Sequence, residues 1–536
     1  MNTSASPHYF RPEWIQPSSE KIQVDVAIYG GTAAGVIAAK NLAQKGRSVL
    51  ILNPSQKLGG MTTGGLGWTD FGAKGVIGGM SYLFYKDVGS VYGLDEPEWL
   101  FEPKVAQQVI DTYAQTPGII VKHAQFLDQV RMENQRIISL KLLGGLEVVA
   151  DVFMDCTYEG DLLAKAGVTY TVGREPNHQY GETINGVQVH GKHQFSHPVD
   201  PYVVPGDPSS GTLPWINEQD TNPQGSGDHR IQAYNFRICM TDDPDLKIDW
   251  EKPENFDEQE YELARRWFNS EKDTYNDQLD NWAYRRHNTI GKFDVLTPRT
   301  ANGFVKTDSN NHGPVSTDYI GANFAWPEAG YHEREEIFQA HVTYIKGFFW
   351  FMANDPSIPE RYRKGYARFG LPQDEFVESG HWPHQLYVRE ARRMVSDYVL
   401  NEKDTQHLTF PEDPIAMGSY NMDSHNCQRF VKDGRVYNEG DVQLPPKGPY
   451  GVSYRSIIPA KGECENILVP VCLSSSHIAF GSVRMEPVFI ALAHSAAIAA
   501  DLMLECSCST HDISYPQLQQ RLLNEDQVVA YKDSSL

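Results

Sequence analysis

Residues Val24–Gly35 read VDVAIYGGTAAG, and this stretch decides the fold. Val24, Val26 and Ile28 alternate with Asp25 and Ala27, the period of two of a short strand. Gly30 and Gly31 break the strand, and Val36–Ala43 (VIAAKNLA) then forms a helix that stops at Gly46. Strand, glycine turn and helix gather unpaired backbone N–H groups and the positive end of a helix dipole at one point, an arrangement that binds a pyrophosphate. A second strand over Ser48–Leu52 completes a βαβ unit where a dinucleotide-binding fold requires it.

The motif departs from GxGxxG in two places. With Gly30 and Gly35 as the first and third glycines, Thr32 stands at the second and must turn its side chain away or donate its hydroxyl. The ribose-binding acid expected about 20 residues on is replaced by Asn53, whose amide binds hydroxyls more weakly than a carboxylate. Taken alone, the stretch fits a dinucleotide site or a glycine turn in another α/β protein. A second cluster, Leu58–Gly67 (LGGMTTGGLG), favours the first reading. Its Gly59-Gly60 and Gly64-Gly65 pairs suit a loop lying flat against a large planar cofactor.

Outward from this unit, Met80–Val88 reads as a short helix and Phe101–Gln115 as a helix that begins at Pro103. Gly118–His123, Ile137–Leu143 and Val148–Met154 read as strands, the first two separated by a polar turn at Glu133-Asn134-Gln135. The last runs into DCTYEGDL (Asp155–Leu162), a second strand-to-helix junction that either faces the cofactor crevice or is simply an acidic helix N-terminus. Val172–Asp228 has no period and reads as irregular structure. Arg230–Met240 reads as a strand with Ile231, Ala233 and Phe236 inward. Glu258–Trp267 and Glu333–Phe351 read as helices, and His381–Leu400 as a Pro-broken run that becomes one. Ile467–Leu473 is a strand, SSSHIAFGSVRMEP (474–487) a polar turn, and Pro487–Leu504 an Ala-rich helix.

The chain has 536 residues, enough for two or three domains. A net charge of −22 argues against nucleic acid or an anionic membrane as partner. No apolar run reaches membrane-spanning length and no signal peptide is visible, which points to the cytoplasm. The seven cysteines, at 156, 239, 427, 464, 472, 506 and 508, read as reduced structural thiols, and no four-ligand metal set accompanies them.

Together these blocks resemble the FAD-dependent oxidoreductases of the glutathione-reductase-like flavoprotein superfamily, related to fumarate reductases and amine oxidases. The resemblance rests on YGGTAAG (29–35), LGGMTTGGLGWTD (58–70), FEPKVA (101–106) and DCTYEGDLLAKAGV (155–168). It continues in QAYNFRICMTDDP (232–244), WPHQLYVREARRM (382–394), GSYNMDSHN (418–426) and 454–489. It implies an α/β fold, a Rossmann-like FAD-binding domain of glutathione-reductase type with an inserted α+β substrate domain. The expected division is an N-terminal extension (1–23), an FAD-binding part (24–172), a substrate or cap domain (173–453), a second FAD-binding part (454–505) and a tail (506–536). On that pattern Gly30, Gly31, Thr32, Ala34 and Gly35 hold the FAD pyrophosphate and Asn53 the ribose. Gly59, Gly60, Met61 and Thr62 approach the ribityl chain and ring, residues 118–123 flank adenine, and Thr157 and Asp161 line the same crevice.

Arg484, with Met485 beside it, either contacts flavin or substrate or pairs with Glu486. Flavin dehydrogenation needs a group that takes a proton as hydride leaves, and histidine titrates in the useful range. His477 and His425 are the first candidates, with His384 a third; each is otherwise a satisfied core histidine. Arg389 and Arg455 either clamp a carboxylate or pair with Glu390 or Glu463, and Tyr387 and Tyr420 are candidate wall or relay groups. A second glycine fingerprint and a CxxxxC pair are missing, so electrons pass to oxygen or another acceptor rather than through an NADPH domain. The expected reaction is oxidation of an alcohol or sugar hydroxyl on a small polar substrate. Reduction of an activated alkene, amine oxidation and an FAD-binding interaction module are the alternatives.

Overall fold

The computed structural model describes residues 6–270, 293–296 and 303–531. β1 (Lys21–Tyr29), β2 (Val49–Asn53), β3 (Ile119–His123), β4 (Leu127–Glu133), β5 (Arg136–Leu142) and β6 (Glu147–Asp155) form one sheet in the order β3-β2-β1-β6-β5-β4. A seventh strand, Ile467–Leu468, joins it beside β6. β1 pairs in parallel with β2 from Val26–Val49 to Tyr29–Leu52, and with β6 from Lys21–Glu147 to Tyr29–Asp155. Parallel pairing needs a crossover, and helix α1 (Ala33–Gln44) supplies it between β1 and β2. The outer edge of β6 is divided. β5 pairs antiparallel with its start, at Glu147 and Val148, and Ile467–Leu468 in parallel with its end, at Phe153 and Met154.

The helix Glu486–Cys506 packs along α1. Small side chains permit the approach: Ala33, Ala38 and Ala39 on α1 and Ala493, Ala496, Ala497 and Ala500 on its neighbour are all fully buried. With mean hydropathy 1.7 over its apolar window, this helix is long and apolar enough to cross a membrane, which corrects the sequence reading. It is instead buried from Glu486 to Met503 inside the protein as its core helix. The middle of the chain mixes small sheets with helices. One sheet has the order Phe293–Val295, Lys306–Ser309, Ile238–Thr241, and beside such sheets lies the 24-residue helix Tyr331–Asn354.

Four local expectations are corrected. β4 occupies residues read as part of a connection, because its alternating pattern leaves only Leu127 fully buried at an exposed sheet end. Arg230–Met240 is a regular strand only from Ile238; Gln232, Asn235 and Arg237 before it are buried in polar contacts rather than a ladder. The segment 474–487 contains a helix, His477–Val483, whose N-cap Ser476 accepts a hydrogen bond from the Ala479 N–H. His381–Leu400 forms no helix. It runs extended through the interior because its charged side chains reach separate partners: Asp318 for Arg389, His477 for Glu390, Asp161 for Arg392 and Glu175 for Arg393.

Candidate functional site

At the end of β1 the chain builds a cleft of about 640 Å³, its open mouth included, lined by Gly30, Gly31, Thr32, Asn53, Gly60, Thr157 and Asp161. Gly30 has φ +107°, and a Cβ there would lie 2.7 Å from the Cys156 carbonyl carbon and the Thr157 nitrogen, so only glycine fits. A Cβ on Gly35 would lie 2.1 Å from the Gly30 oxygen. Thr32 caps α1: its hydroxyl donates to the Cys156 carbonyl at 2.8 Å and accepts from the Gly35 N–H at 3.3 Å. The Thr32 hydroxyl is thus engaged by a backbone carbonyl of the neighbouring strand end. The remaining first-turn N–H groups of α1 have no acceptor within the helix, the usual basis of anion binding.

Asn53 braces this loop. Its Oδ1 accepts from the Gly31 N–H at 3.2 Å, and its Nδ2 donates to the Ser55 and Lys57 carbonyls, each at 2.8 Å. The second glycine cluster is tied to the first, since the Gly59 N–H donates to the Gly31 carbonyl at 2.7 Å. Beyond it the Met61 N–H donates to the Tyr158 hydroxyl at 2.9 Å. Tyr158 and Thr62 then donate to the two carboxylate oxygens of Glu486, at 2.7 and 2.6 Å. Burial pushes the Glu486 carboxyl up to about 7 although it opens a helix, where the dipole favours its charged form. Met485 is the N-cap of that helix.

Two acids line the cleft and differ in charge state. Burial raises both, but Arg334 and Arg392, within 2.7–2.9 Å of Asp161, overcome it and hold that carboxyl down at about 2. Glu159 is pushed up to about 7, since burial outweighs the nearby Arg334. His384 lines the cleft too, which removes it from the histidines of the polar cluster described next. Its Nε2 is buried without a hydrogen-bond partner among the described residues, and burial with Lys57 nearby holds it neutral, at about 3. An orphaned imidazole nitrogen, glycines with no room for a Cβ and free helix N–H groups together fit FAD.

Two segments lead from this cleft to a buried polar cluster. One runs from Gly60 to Asp70, where Asp70 accepts from the Tyr420 hydroxyl at 3.1 Å. The other runs from His384, Gln385 and Leu386, which line the cleft, to Tyr387 and Arg389. Tyr387 lies under two guanidiniums, with Arg389 4.2 Å and Arg484 5.6 Å from its ring centroid. Arg484 donates to the Tyr387 hydroxyl at 2.9 Å and approaches Asp423 at 3.5 Å, so Asp423 and not Glu486 is its acid.

His425 Nδ1 is 2.7 Å from Asp318, which also pairs with Arg389 at 3.1 Å, and His425 Nε2 is 3.6 Å from Asp423. Burial raises Asp318, yet Arg389 and His425 bring it below the usual carboxylate range. His477 is enclosed, with Nδ1 2.8 Å from Glu390 and Nε2 3.2 Å from the Ser424 hydroxyl. Around Tyr387 and His425, Gln232 Nε2, Asp423 Oδ1, Arg237 Nη1 and Arg484 Nε are buried with no hydrogen-bond partner among the described residues. Buried polar atoms of this kind are answered by water or a ligand.

Arg455 is not part of this cluster. It lies on a one-turn helix at Tyr454–Ile457, its side chain 41% exposed, and pairs with Asp413 at 3.0 Å rather than with Glu390 or Glu463. Sequence reading missed Glu159, Asp318, Asp423 and Gln232. Asp423 is two residues from His425 in MDSH and could have been found; Asp318 carries no local signal.

No curated relative matches the sequence. Solved structures resemble parts of it at low identity. OxyS anhydrotetracycline hydroxylase from Streptomyces rimosus is 14% identical over 29% of this chain and 36% of its own, TM-score 0.24. THI4 of Thermovibrio ammonificans is 21% identical over 28% and 66%, TM-score 0.23. L-proline dehydrogenase of P. horikoshii is 15% identical over 30% and 59%, TM-score 0.23. This chain therefore spans from about a third to two thirds of the length of these proteins. The sequence profile of the FAD dependent oxidoreductase family matches residues 25–522, nearly the whole chain. The protein belongs to that family.

Proposed function

We propose that the protein oxidises an alcohol or sugar hydroxyl of a small uncharged substrate, with His425 taking the hydroxyl proton at Nε2. The reading rests on one observation: Asp318 holds His425 through Nδ1, while Nε2 lies 3.6 Å from Asp423, a residue whose other carboxylate oxygen is buried without a hydrogen-bond partner among the described residues. A carboxylate on Nδ1 fixes the tautomer that leaves Nε2 free to accept a proton, and stabilises the imidazolium that results. Bound FAD supplies the hydride acceptor. Gln232 and Tyr387 orient the substrate hydroxyl. His477, closed in by Glu390 and Ser424, positions the loop that carries His425.

The cluster argues for an uncharged substrate. Arg389 faces Asp318, Arg484 faces Asp423 and Arg237 faces Asp308, so each guanidinium already has a carboxylate. An anion clamp, as reduction of an alkene acid requires, needs arginines whose charge is not yet matched. The test is anaerobic bleaching of the bound flavin with a panel of alcohols, sugars, amines and unsaturated acids. Bleaching by a hydroxyl substrate, and its loss in His425→Gln, are expected; bleaching by amines alone would overturn the reading.

A further inference from the structure

We infer that the segment Pro7–Phe10, which precedes the dinucleotide-binding unit, forms a wall of the FAD site and retains the bound cofactor. His8 and Tyr9 line the same cleft as Gly30, Gly31 and Thr32, although β1 begins only at Lys21. The inference rests on the FAD assignment and not on the proposed substrate.

The segment is pinned by successive side chains of one helix, Tyr331–Asn354. Glu335 accepts from the backbone N–H groups of Tyr9 and Phe10, at 2.7 and 3.0 Å, and stands 2.6 Å from His8 Nδ1. One turn on, Gln339 donates to the Pro7 carbonyl at 2.8 Å. Arg334 donates to the Tyr9 hydroxyl at 3.1 Å and to the Asp161 carboxylate at 2.7 Å. A single guanidinium therefore joins the segment to an acid of the cleft itself. Aromatic contacts complete the anchor: Phe10 meets Phe126 edge-on at 4.8 Å, and Tyr9 meets Trp326 edge-on at 4.9 Å.

Phe10 is buried, whereas His8 and Tyr9 keep part of their surface, and that part borders the cleft. The anchoring bonds go to charged groups, the stronger class of hydrogen bond. A ligand in the cleft lies against a wall that two adjacent residues, Arg334 and Glu335, hold in place. Releasing the wall exposes the ligand and speeds its departure.

The test uses the full chain, stripped of flavin and reloaded with FAD, with dissociation followed by the rise in flavin fluorescence on dilution. Glu335→Gln removes the charged acceptor and Tyr9→Ala removes the wall. Each is expected to raise the FAD dissociation rate about tenfold or more, the worth of one charged hydrogen bond. Tyr9→Phe keeps the ring but loses the bond from Arg334, and is expected to raise the rate by less than Tyr9→Ala does. Glu13→Ala, on the turn that follows the segment, exposed and outside the cleft lining, is expected to leave the rate unchanged. Apo-protein melting temperatures accompany every variant, and Tyr9→Leu replaces Tyr9→Ala if the latter does not fold. Wild-type dissociation rates in both Glu335→Gln and Tyr9→Ala, with FAD still bound by the wild-type chain, would overturn the inference. A wild-type chain that takes up no FAD would overturn the cofactor assignment as well.

Discussion

The Nδ1 atom of His425 lies 2.7 Å from the Oδ2 atom of Asp318, while the other Asp318 oxygen faces Arg389 at 3.1 Å. Asp318→Asn keeps the shape but offers an amide where a carboxylate held the ring, so the tautomer is no longer fixed. Flavin bleaching by the best hydroxyl substrate is expected to slow by about 10²-fold or more, the range of a general base. Stopped-flow reduction with FAD still bound measures it. An unchanged rate would remove His425 from the reaction.

Gly30→Ala places a Cβ 2.7 Å from backbone atoms of Cys156 and Thr157, in a conformation of φ +107°. Neither neighbour is a flexible side-chain end, so the loop must shift. A stability loss of about 2 kcal/mol or more is expected, with FAD binding lost before the fold. Thermal melting and FAD titration of the same preparation separate the two. Wild-type FAD affinity in this variant would show that the loop does not hold the pyrophosphate.

Glu159 lines the FAD cleft with its carboxyl pushed up to about 7 by burial. Below that pH the group is neutral; above it a carboxylate would repel the diphosphate of an FAD bound in this cleft. FAD is therefore expected to bind more tightly at pH 6 than at pH 8, and Glu159→Gln to flatten the dependence. Titration at three pH values checks it, and a wild-type affinity that rises with pH would contradict it.

Glu486 links Thr62 and Tyr158 across the interior, and burial raises its carboxyl from 4.5 to about 7. Because the folded value lies above the unfolded one, its contribution is complete below about pH 4.5 and is lost as pH rises towards 7. At about 1.4 kcal/mol per unit, the loss approaches about 3 kcal/mol. Glu486→Gln is expected to be more stable than wild type at pH 8 and to lose that advantage at pH 5. Denaturant unfolding at the two values tests this, and equal differences at both would assign the shift elsewhere.

Asp161 behaves in the opposite sense. Two arginines overcome its burial and hold it at about 2, so it stabilises above the ordinary carboxylate range and loses that effect as pH falls from about 4 to 2. Asp161→Asn leaves Arg334 and Arg392 facing an amide and is expected to cost about 3–5 kcal/mol. Urea unfolding at pH 7 measures it, and a change below about 1 kcal/mol would show that the arginines find other partners.

The alternation of Val24, Val26 and Ile28, the glycines at 30, 31 and 35 and the alanine-rich C-terminal helix were legible in the sequence, because short-range periodicity and steric demands act within a few residues. They determined the βαβ unit and which glycines line the cleft at its end. The tertiary structure decided the polar cluster. Arg389 chose Asp318 over Glu390, Arg484 chose Asp423 over Glu486, and Arg455 left the cluster for Asp413, since an ion pair depends on what the fold brings near and not on distance along the chain. The same cause kept 381–400 extended: its charges gained more from scattered buried partners than from one helical face. It also placed Tyr9 in the cofactor cleft, through a helix more than 300 residues away in sequence.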